Sequence, residues 1–483
     1  MNYPSLLYTK ESSCDKFDPT VFEDLKLTLL LSEEAINAMM TPCHPDDIPV
    51  RQELFRLLQS TKVREIFKKL AEIAETIHRL SGAYKAARCD NERNFIFVNL
   101  IGSVTSFYHH ASELSGEGSL CGRFKDYFLR NSSTTEYKRL LAETDKLLLM
   151  NEKVRVNSFK MLGEDLYIRP EDDRPIVARL LKCAIDLGLK DSRETRDVSI
   201  KLDPRLINAI AAMNPIEFTA FKEFYNEFKG FFHKEIIAYR SELNFYLEIS
   251  EIFDKVRSFG IPICWPKAAK EKKFSAQGLR DLSLLAKNER NIVPNDILFD
   301  AEEPFFYLTG ANGGGKTTYL RSVGIAAVLF LTGCPIPCET AEIYPLNCVY
   351  THFPRDERFE GEGRFADEEN RVNEILRSHA GNSLVLLNET YSTTSEELAL
   401  KLTAELAETI YDSGSMGIYI THQHGIGASK IPFLSVIIDE SAENRRTYKI
   451  ARYRGASGSY AFDILKKYNL TEKALKNRFP VQS

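Results

Sequence analysis

The sequence predicts a mostly α-helical amino-terminal region followed by a carboxy-terminal α/β domain, and three observations carry that reading. Through much of the span from Phe17 to about Gly260, apolar residues recur every three or four positions, as Ile66, Leu70, Ile73, Ile77 and Leu80 do, which is the spacing of one face of a helix. From Pro304 onward the pattern changes to short apolar runs alternating with helical stretches, the grammar of a sheet with crossover helices. Between the two, Ile261 to Asn295 contains Pro262, Pro266 and four lysines within Lys267 to Lys273, a composition that marks a boundary. The expected organisation is therefore a helical domain over 1–265, a linker over 266–292 and an α/β domain over 293–483.

A chain of 483 residues exceeds one ordinary core, in keeping with more than one domain. Its 43% hydrophobic and 27% charged residues and its net charge of -5 describe a soluble globular protein, so any nucleic-acid surface must be local. Within the helical half, Phe218, Phe221, Phe228, Phe232, Ile236, Tyr239, Leu243 and Leu247 line a stripe from Ile216 to Phe259 without an internal proline. As a single helix it would span roughly 60 Å, either a lever between distant parts or an ordinary bundle helix. The segment 151–206 reads as an irregular connection or shortened clamp with some strand, given Pro170, Asp172, Asp173 and Pro175 and the alternation of Val198, Ile200 and Leu202. The lysine run is either a solvated linker or a contact to a phosphate backbone.

In the second half, strands are expected at Phe305–Thr309, Ser383–Leu387, Gly417–Ile420 and Val436–Ile438, with helices at Thr317–Leu331, Glu368–His379 and Ser395–Asp412. The longest apolar run, within Val323 to Leu331, falls short of the roughly 20 residues that cross a bilayer, so no membrane segment is expected. Lys10, Glu11 and Asp15 interrupt the place of a signal-peptide core, which points to the cytoplasm. The nine cysteines do not form the paired spacing of a zinc site, even at Cys334, Cys338 and Cys348, and read as small buried side chains.

Gly310-Ala311-Asn312-Gly313-Gly314-Gly315-Lys316-Thr317 satisfies the P-loop pattern and lies where that motif must lie, between a strand and a helix. Glycines let the backbone curl so that successive N–H groups face phosphates. Lys316 would neutralise the β and γ groups, and Thr317 would offer its hydroxyl to magnesium, with Thr318 completing the nucleotide-binding run. Some seventy residues on, Ser383-Leu384-Val385-Leu386-Leu387-Asn388-Glu389 is an apolar strand ending in two polar residues, a Walker B pattern. Asn388 stands where an aspartate is usual and brings an acceptor oxygen but no charge, which implies weaker hold on the magnesium hydration shell. Glu389 is placed to orient or deprotonate an attacking water and to assist the metal, a helix cap or surface carboxylate being the alternative. His422, just after the Gly417–Ile420 strand, has the position of a γ-phosphate sensor or is a structural histidine, and it fits that position better than His424. The fold implied is an α/β P-loop NTPase, with ATP and Mg2+ as ligands and Lys316, Glu389 and His422 as catalytic candidates.

From Val293 to Leu470 the chain resembles the ATPase domain of MutS-type DNA mismatch-repair proteins. The shared landmarks are Val293-Pro294-Asn295-Asp296, the P-loop with Asn312, Gly333 and Pro337 after the helix, Phe365 and Glu368 with Ile375-Leu376, Leu384 to Glu389, Ser392-Thr393-Thr394, and Thr421-His422. Arg446-Thr447-Tyr448-Lys449 and Gly458-Ser459-Tyr460-Ala461 are similar to that family's closing strand and subunit-pairing segment. Upstream, Phe22 to Leu31 with Ile48 to Gln52, and the Ile216–Phe259 stripe, are similar to its core and lever helices. The resemblance implies a MutS- and ABC-like ATPase fold, a homodimer whose nucleotide sites are completed in trans, and DNA as partner in mismatch repair or a related repair or recombination process. The family's amino-terminal mismatch-reading domain is not matched, so direct mismatch recognition is not expected. At Gly361-Glu362-Gly363-Arg364-Phe365 the family's trans serine is missing, and Arg364 or the glycine amides would have to stand in for it.

Two functions compete on these residues. One is a dimeric ATPase that switches helical levers around DNA. The other is a nucleotide-gated scaffold, in which Asn388 allows binding with little hydrolysis. A transporter subunit or chromosome-organising ATPase fits less well, since neither the serine-glycine-glycine signature nor a long heptad pattern is present.

Overall fold

The computed structural model describes residues 4–10, 15–116, 119–155, 157–162, 165–170, 204–232, 234–354, 363–378, 381–391, 395–422, 430–438 and 446–452. Its helices are α1 (Pro19–Asp24), α2 (Glu33–Met39), α3 (Asp47–Leu57), α4 (Thr61–Ala86), α5 (Asp90–Ser112), α6 (Leu120–Ser132) and α7 (Thr135–Arg155), then α8 (Pro204–Met213), α9 (Pro215–Phe228), α10 (Tyr239–Ser258), α11 (Lys316–Leu331), α12 (Gly363–Ser378) and α13 (Glu396–Asp412). The strands are β1 (Asn157–Leu162), β2 (Asp165–Pro170), β3 (Lys267–Ala268), β4 (Phe274–Leu279), β5 (Asn295–Phe299) and β6 (Phe305–Thr309), then β7 (Thr340–Ile343), β8 (Cys348–His352), β9 (Ser383–Asn388), β10 (Met416–Ile420), β11 (Phe433–Ile438) and β12 (Arg446–Arg452). The chain forms two compact units, one from 1–6 with 57–247 and the other from 7–56 with 248–483.

Among the described residues, the first unit is helical except for the antiparallel hairpin β1–β2. Val63, Ile66, Phe67, Leu70, Ile73, Ala74 and Ile77 form the buried stripe of α4, the face that the spacing predicts. Aromatic rings join α9 to α5: Phe97 lies 5.9 Å from Phe224 and Phe95 lies 6.1 Å from Phe221, centroid to centroid. The stripe expected as one long helix is broken. It runs as α9, a 3-10 turn at Lys234–Ala238 and then α10. The break follows Lys229-Gly230, where the Phe231 amide turns back to the Phe228 carbonyl at 2.8 Å. Glycine is a poor helix former, and nothing packed at Gly230 offsets that cost. The alternating Val198, Ile200 and Leu202 lie outside the described residues.

The second unit is built on a six-stranded sheet in the order β12-β11-β6-β10-β9-β8, parallel throughout except for β12 against β11. Strands β9 and β10 are buried along their whole length, as a parallel sheet covered on both faces requires. One face carries Tyr307, Val385, Leu387 and Tyr419 against Ala399, Leu406 and Ile410 of α13 and Val372 and Ile375 of α12. Against the other lies α11, apolar nearly all round and buried from Tyr319 to Leu331. Gly324 allows this close approach, because a Cβ there would meet Leu386 at 2.8 Å. A smaller sheet, β3-β7-β4-β5, stands beside it, with β4 antiparallel to both neighbours. Residues 7–56 help to close this unit: Cys43 N–H and the Arg51 guanidinium donate to the carbonyls of Leu331 (2.8 Å) and Thr332 (2.9 Å), satisfying the end of α11. Among the described residues, no helix is long and apolar enough to cross a membrane.

Candidate functional site

Parallel strands deliver the loops that follow them to the same edge of a sheet, and here β6, β9 and β10 lie side by side. Ile420 pairs with both Leu308 and Asn388, so the residues after these three strands start level. The predicted glycine loop follows β6, Asn388-Glu389 ends β9, and Thr421-His422 follows β10. Sequence positions more than a hundred apart are thereby brought to one place.

The loop 310–315 is folded around its backbone. Gly315 opens α11 with φ +95°, a left-handed conformation that costs a side-chain-bearing residue, and the Gly314 N–H donates to the Ala311 carbonyl at 3.0 Å. A Cβ on Gly314 would lie 2.9 Å from that same carbonyl. Lys316 is 5% exposed, and its ammonium donates to the carbonyls of Gly310 (2.7 Å) and Ala311 (3.1 Å). Burial holds the Lys316 pKa below its ordinary 10.5, and the facing Glu389 carboxylate partly offsets this. An ammonium has three donors, so one remains when two serve the loop. A glycine-rich loop at a helix N-terminus, with a lysine inside it, is chemically an anion cradle.

Glu389 has φ +54°, and its N–H donates to the Ile420 carbonyl at 3.0 Å, which turns the side chain out of the β9 line. One carboxylate oxygen lies 2.8 Å from Nε2 of His422, so the two residues singled out by position form a pair. That hydrogen bond, with smaller help from the charge of Lys316, holds the Glu389 carboxyl below the ordinary value of 4.5 against the opposing effect of burial. Asn388 is 6% exposed, and its Oδ1 is buried without a hydrogen-bond partner among the described residues. Such an atom costs free energy unless a further group contacts it. No group of three His, Cys, Asp or Glu side chains able to hold a metal occurs among the described residues. His424, Ser392 to Thr394 and Gly458 to Ala461 lie outside the described residues, as do Gly361 and Glu362.

A cavity of about 400 Å³ opens on the loop, lined by Ala311, Asn312, Gly313, Gly315, Lys316, Thr317, Thr318 and Glu389. The rest of its lining includes residues that the sequence reading did not single out as a site, chiefly Leu279, Leu284, Ile292 and Tyr448. Tyr448, at φ +55°, is held by Asn295, whose amide donates to the Tyr448 carbonyl at 3.0 Å and whose Oδ1 accepts from the Ile450 N–H at 2.8 Å. Asn295 was legible only as part of the Val293-Pro294-Asn295-Asp296 landmark, with no sign of its partner on β12.

Behind the cavity runs a chain of charges. Arg321 of α11 contacts Asp281 at 3.4 Å and donates from Nε to the Asp24 carbonyl at 3.3 Å. The Asp24 carboxylate accepts from Thr351 at 2.8 Å and from Arg371 of α12 at 3.3 Å. Asp281 is fully buried and also accepts from the Ser283 N–H at 2.9 Å, starting the 3-10 turn that carries Leu284. Burial raises the Asp281 pKa, and Arg321 opposes the rise. Arg321→Ala leaves that carboxylate uncompensated, and we expect a loss of about 3 kcal/mol in urea unfolding. Adding Asp281→Asn should restore part of it; an unchanged midpoint in the single variant would remove the pair from the account of stability.

Residues 306–476 match the family model for MutS domain V. This part of the chain is thus similar to MutS domain V. The DNA mismatch repair protein MutS of Chlorobium phaeobacteroides is 28% identical over 215 residues, 40% of this chain and 25% of that protein. MutS of Fervidobacterium nodosum is 27% identical over 259 residues, 50% of this chain and 30% of that protein. The mitochondrial mismatch repair protein MSH1 of Arabidopsis thaliana is 34% identical over 125 residues, 26% of this chain and 11% of that protein. The matched part thus spans at most 30% of the length of these relatives. The MutS domain V match contains the glycine loop from Gly310, the Asn388-Glu389 pair and His422.

Proposed function

We propose that this chain is an ATP-dependent DNA-binding protein of the MutS kind, a dimeric switch whose P-loop NTPase domain binds and hydrolyses ATP. The observation that supports it most is the 2.8 Å Glu389–His422 pair, set beside a glycine loop whose lysine lies inside it. In this reading the amides of Gly313, Gly314, Gly315, Lys316, Thr317 and Thr318 surround the phosphates, and Lys316 exchanges loop carbonyls for phosphate oxygens. Leu279, Leu284, Ile292 and Tyr448 form an apolar wall suited to a planar base.

The donors fit magnesium, a hard cation that takes oxygen ligands: the Thr317 hydroxyl, and through water the orphaned Oδ1 of Asn388 and the Glu389 carboxylate. Magnesium, when bound, neutralises charge on the phosphate oxygens. Glu389, kept ionised by His422 and Lys316, accepts a hydrogen bond from the attacking water and takes its proton. His422 holds that carboxylate in place and senses the terminal phosphate.

Asn388 favours the second reading, a nucleotide-gated scaffold, because an amide contributes no charge to the metal. Asn388→Asp distinguishes the two. If the native amide suffices, steady-state ATP turnover changes by less than about threefold. A rise of about tenfold or more would favour the scaffold.

For the DNA partner, the test is binding of duplex, mismatched, four-way and single-stranded DNA with ATP and with ADP at stated salt concentrations. The proposal expects affinity for at least one of these to depend on the nucleotide, together with ATP-dependent dimers. No ATPase activity at any magnesium concentration and no ATP-dependent dimer would reject it.

A further inference from the structure

Two cysteines in the second unit sit together for reasons that nucleotide chemistry does not use. Cys264 and Ile336 exchange two backbone hydrogen bonds of 2.9 Å each, forming an isolated antiparallel bridge. The Ile336 carbonyl also accepts from the Cys338 N–H at 3.0 Å, closing a three-residue turn around Pro337. The turn brings Cys338 back toward Cys264, and the two thiols influence one another. Cys338 is fully buried, whereas Cys264 is only half-buried. The nearness of the two thiols brings Cys264 down to about 7, with help from the Ala341 backbone and Lys267 and against the effect of burial, and pushes Cys338 up. Near neutral pH, Cys264 is thus a reachable nucleophile with a protonated thiol held against it.

We propose that Cys264 and Cys338 form a reversible oxidation site that closes to a disulfide with a small peroxide as oxidant. The Cys264 thiolate attacks one peroxide oxygen, the O–O bond breaks, and hydroxide leaves and is protonated to water, giving a sulfenic acid. The Cys338 sulfur then displaces the hydroxyl from Cys264, its own proton leaving with that hydroxyl as a second water. Two thiols lose two electrons, and the peroxide gains them.

The site bears on the wall behind the cavity. The Arg280 N–H donates to the Pro337 carbonyl at 3.1 Å and the Glu339 N–H to the Gln277 carbonyl at 2.9 Å, so the residues on either side of Cys338 are bonded to the segment that carries Leu279 and Asp281. A disulfide would fix that segment's support to Cys264. The inference concerns the dithiol alone and stands whether or not the cavity takes ATP.

The test uses the full chain with all its cysteines. The protein is treated with hydrogen peroxide, its remaining thiols are blocked by alkylation, and its mass and unreduced peptides are measured. The expected result is a chain lighter by about 2 Da before alkylation, a peptide joining Cys264 to Cys338, and return to the thiol form with dithiothreitol. In Cys338→Ser, Cys264 should instead stop at the sulfenic acid and react with dimedone. Linkage between other cysteines, or no 264–338 link at peroxide levels that oxidise the half-buried Cys89, overturns the proposal. Because the decisive reading is made on the unaltered chain, it does not depend on how the variant folds.

Discussion

Replacing Glu389 by glutamine is expected to leave ATP binding within about threefold of the parent while lowering turnover by about 10² to 10⁴. The two effects separate because the amide keeps the shape of the side chain but cannot take a proton. The left-handed backbone at Glu389 is set by its N–H bond to Ile420 and does not depend on the carboxylate. The side-chain oxygen of glutamine can still meet Nε2 of His422, so the 2.8 Å contact survives in geometry and loses only its charge. Removing a negative charge near the phosphates relieves a like-charge repulsion, which offsets the loss of the carboxylate's water-mediated hold on magnesium. Phosphate release at saturating ATP, with calorimetry for the affinity, separates the two quantities. Unchanged turnover would show that Glu389 does no proton transfer, and the assignment of the site would fail with it.

The features legible in the sequence are those whose cause is local. Phe305–Thr309 forms the expected strand and Lys316–Leu331 the expected helix, because an apolar run, a glycine turn and a second apolar run specify their own order. The Ser383–Asn388 strand was equally plain, and with it the position of Glu389 at the sheet edge. What was illegible is non-local. Strand β4, Phe274–Leu279, alternates in exposure and falls within a stretch whose prolines and lysines read as a linker; its pairing with β7 lies more than sixty residues ahead. Leu279 and Tyr448 meet on one cavity from opposite ends of the second unit, and no spacing rule connects them. The placement of residues 7–56 in that unit rests on contacts such as Arg51 to the Thr332 carbonyl, which helical periodicity cannot express. The break after Phe228 had a sign in Gly230, outweighed by an apolar stripe that continues on both sides of it.

Lys316→Ala should weaken ATP binding by about 100-fold or more. The bound ammonium would make at least two charge-assisted hydrogen bonds to phosphate, worth roughly 1.5–3 kcal/mol each, and about 1.4 kcal/mol corresponds to a factor of ten. Part of that gain is offset in the wild type, since Lys316 must leave the carbonyls of Gly310 and Ala311, which it holds at 2.7 and 3.1 Å. Those bonds join an ion to neutral acceptors, whereas the phosphate bonds join two ions in a half-enclosed cavity, so the exchange still favours binding. Burial adds a pH signature. The Lys316 pKa lies below its ordinary value, so affinity should decline on the alkaline side earlier than for an exposed lysine, as the ammonium loses its proton. In Lys316→Ala that alkaline limb should be absent, a result that mere distortion of the loop would not produce. Titration calorimetry across pH on both proteins measures each point, and equal heats and affinities would mean that the cradle of amides holds no triphosphate.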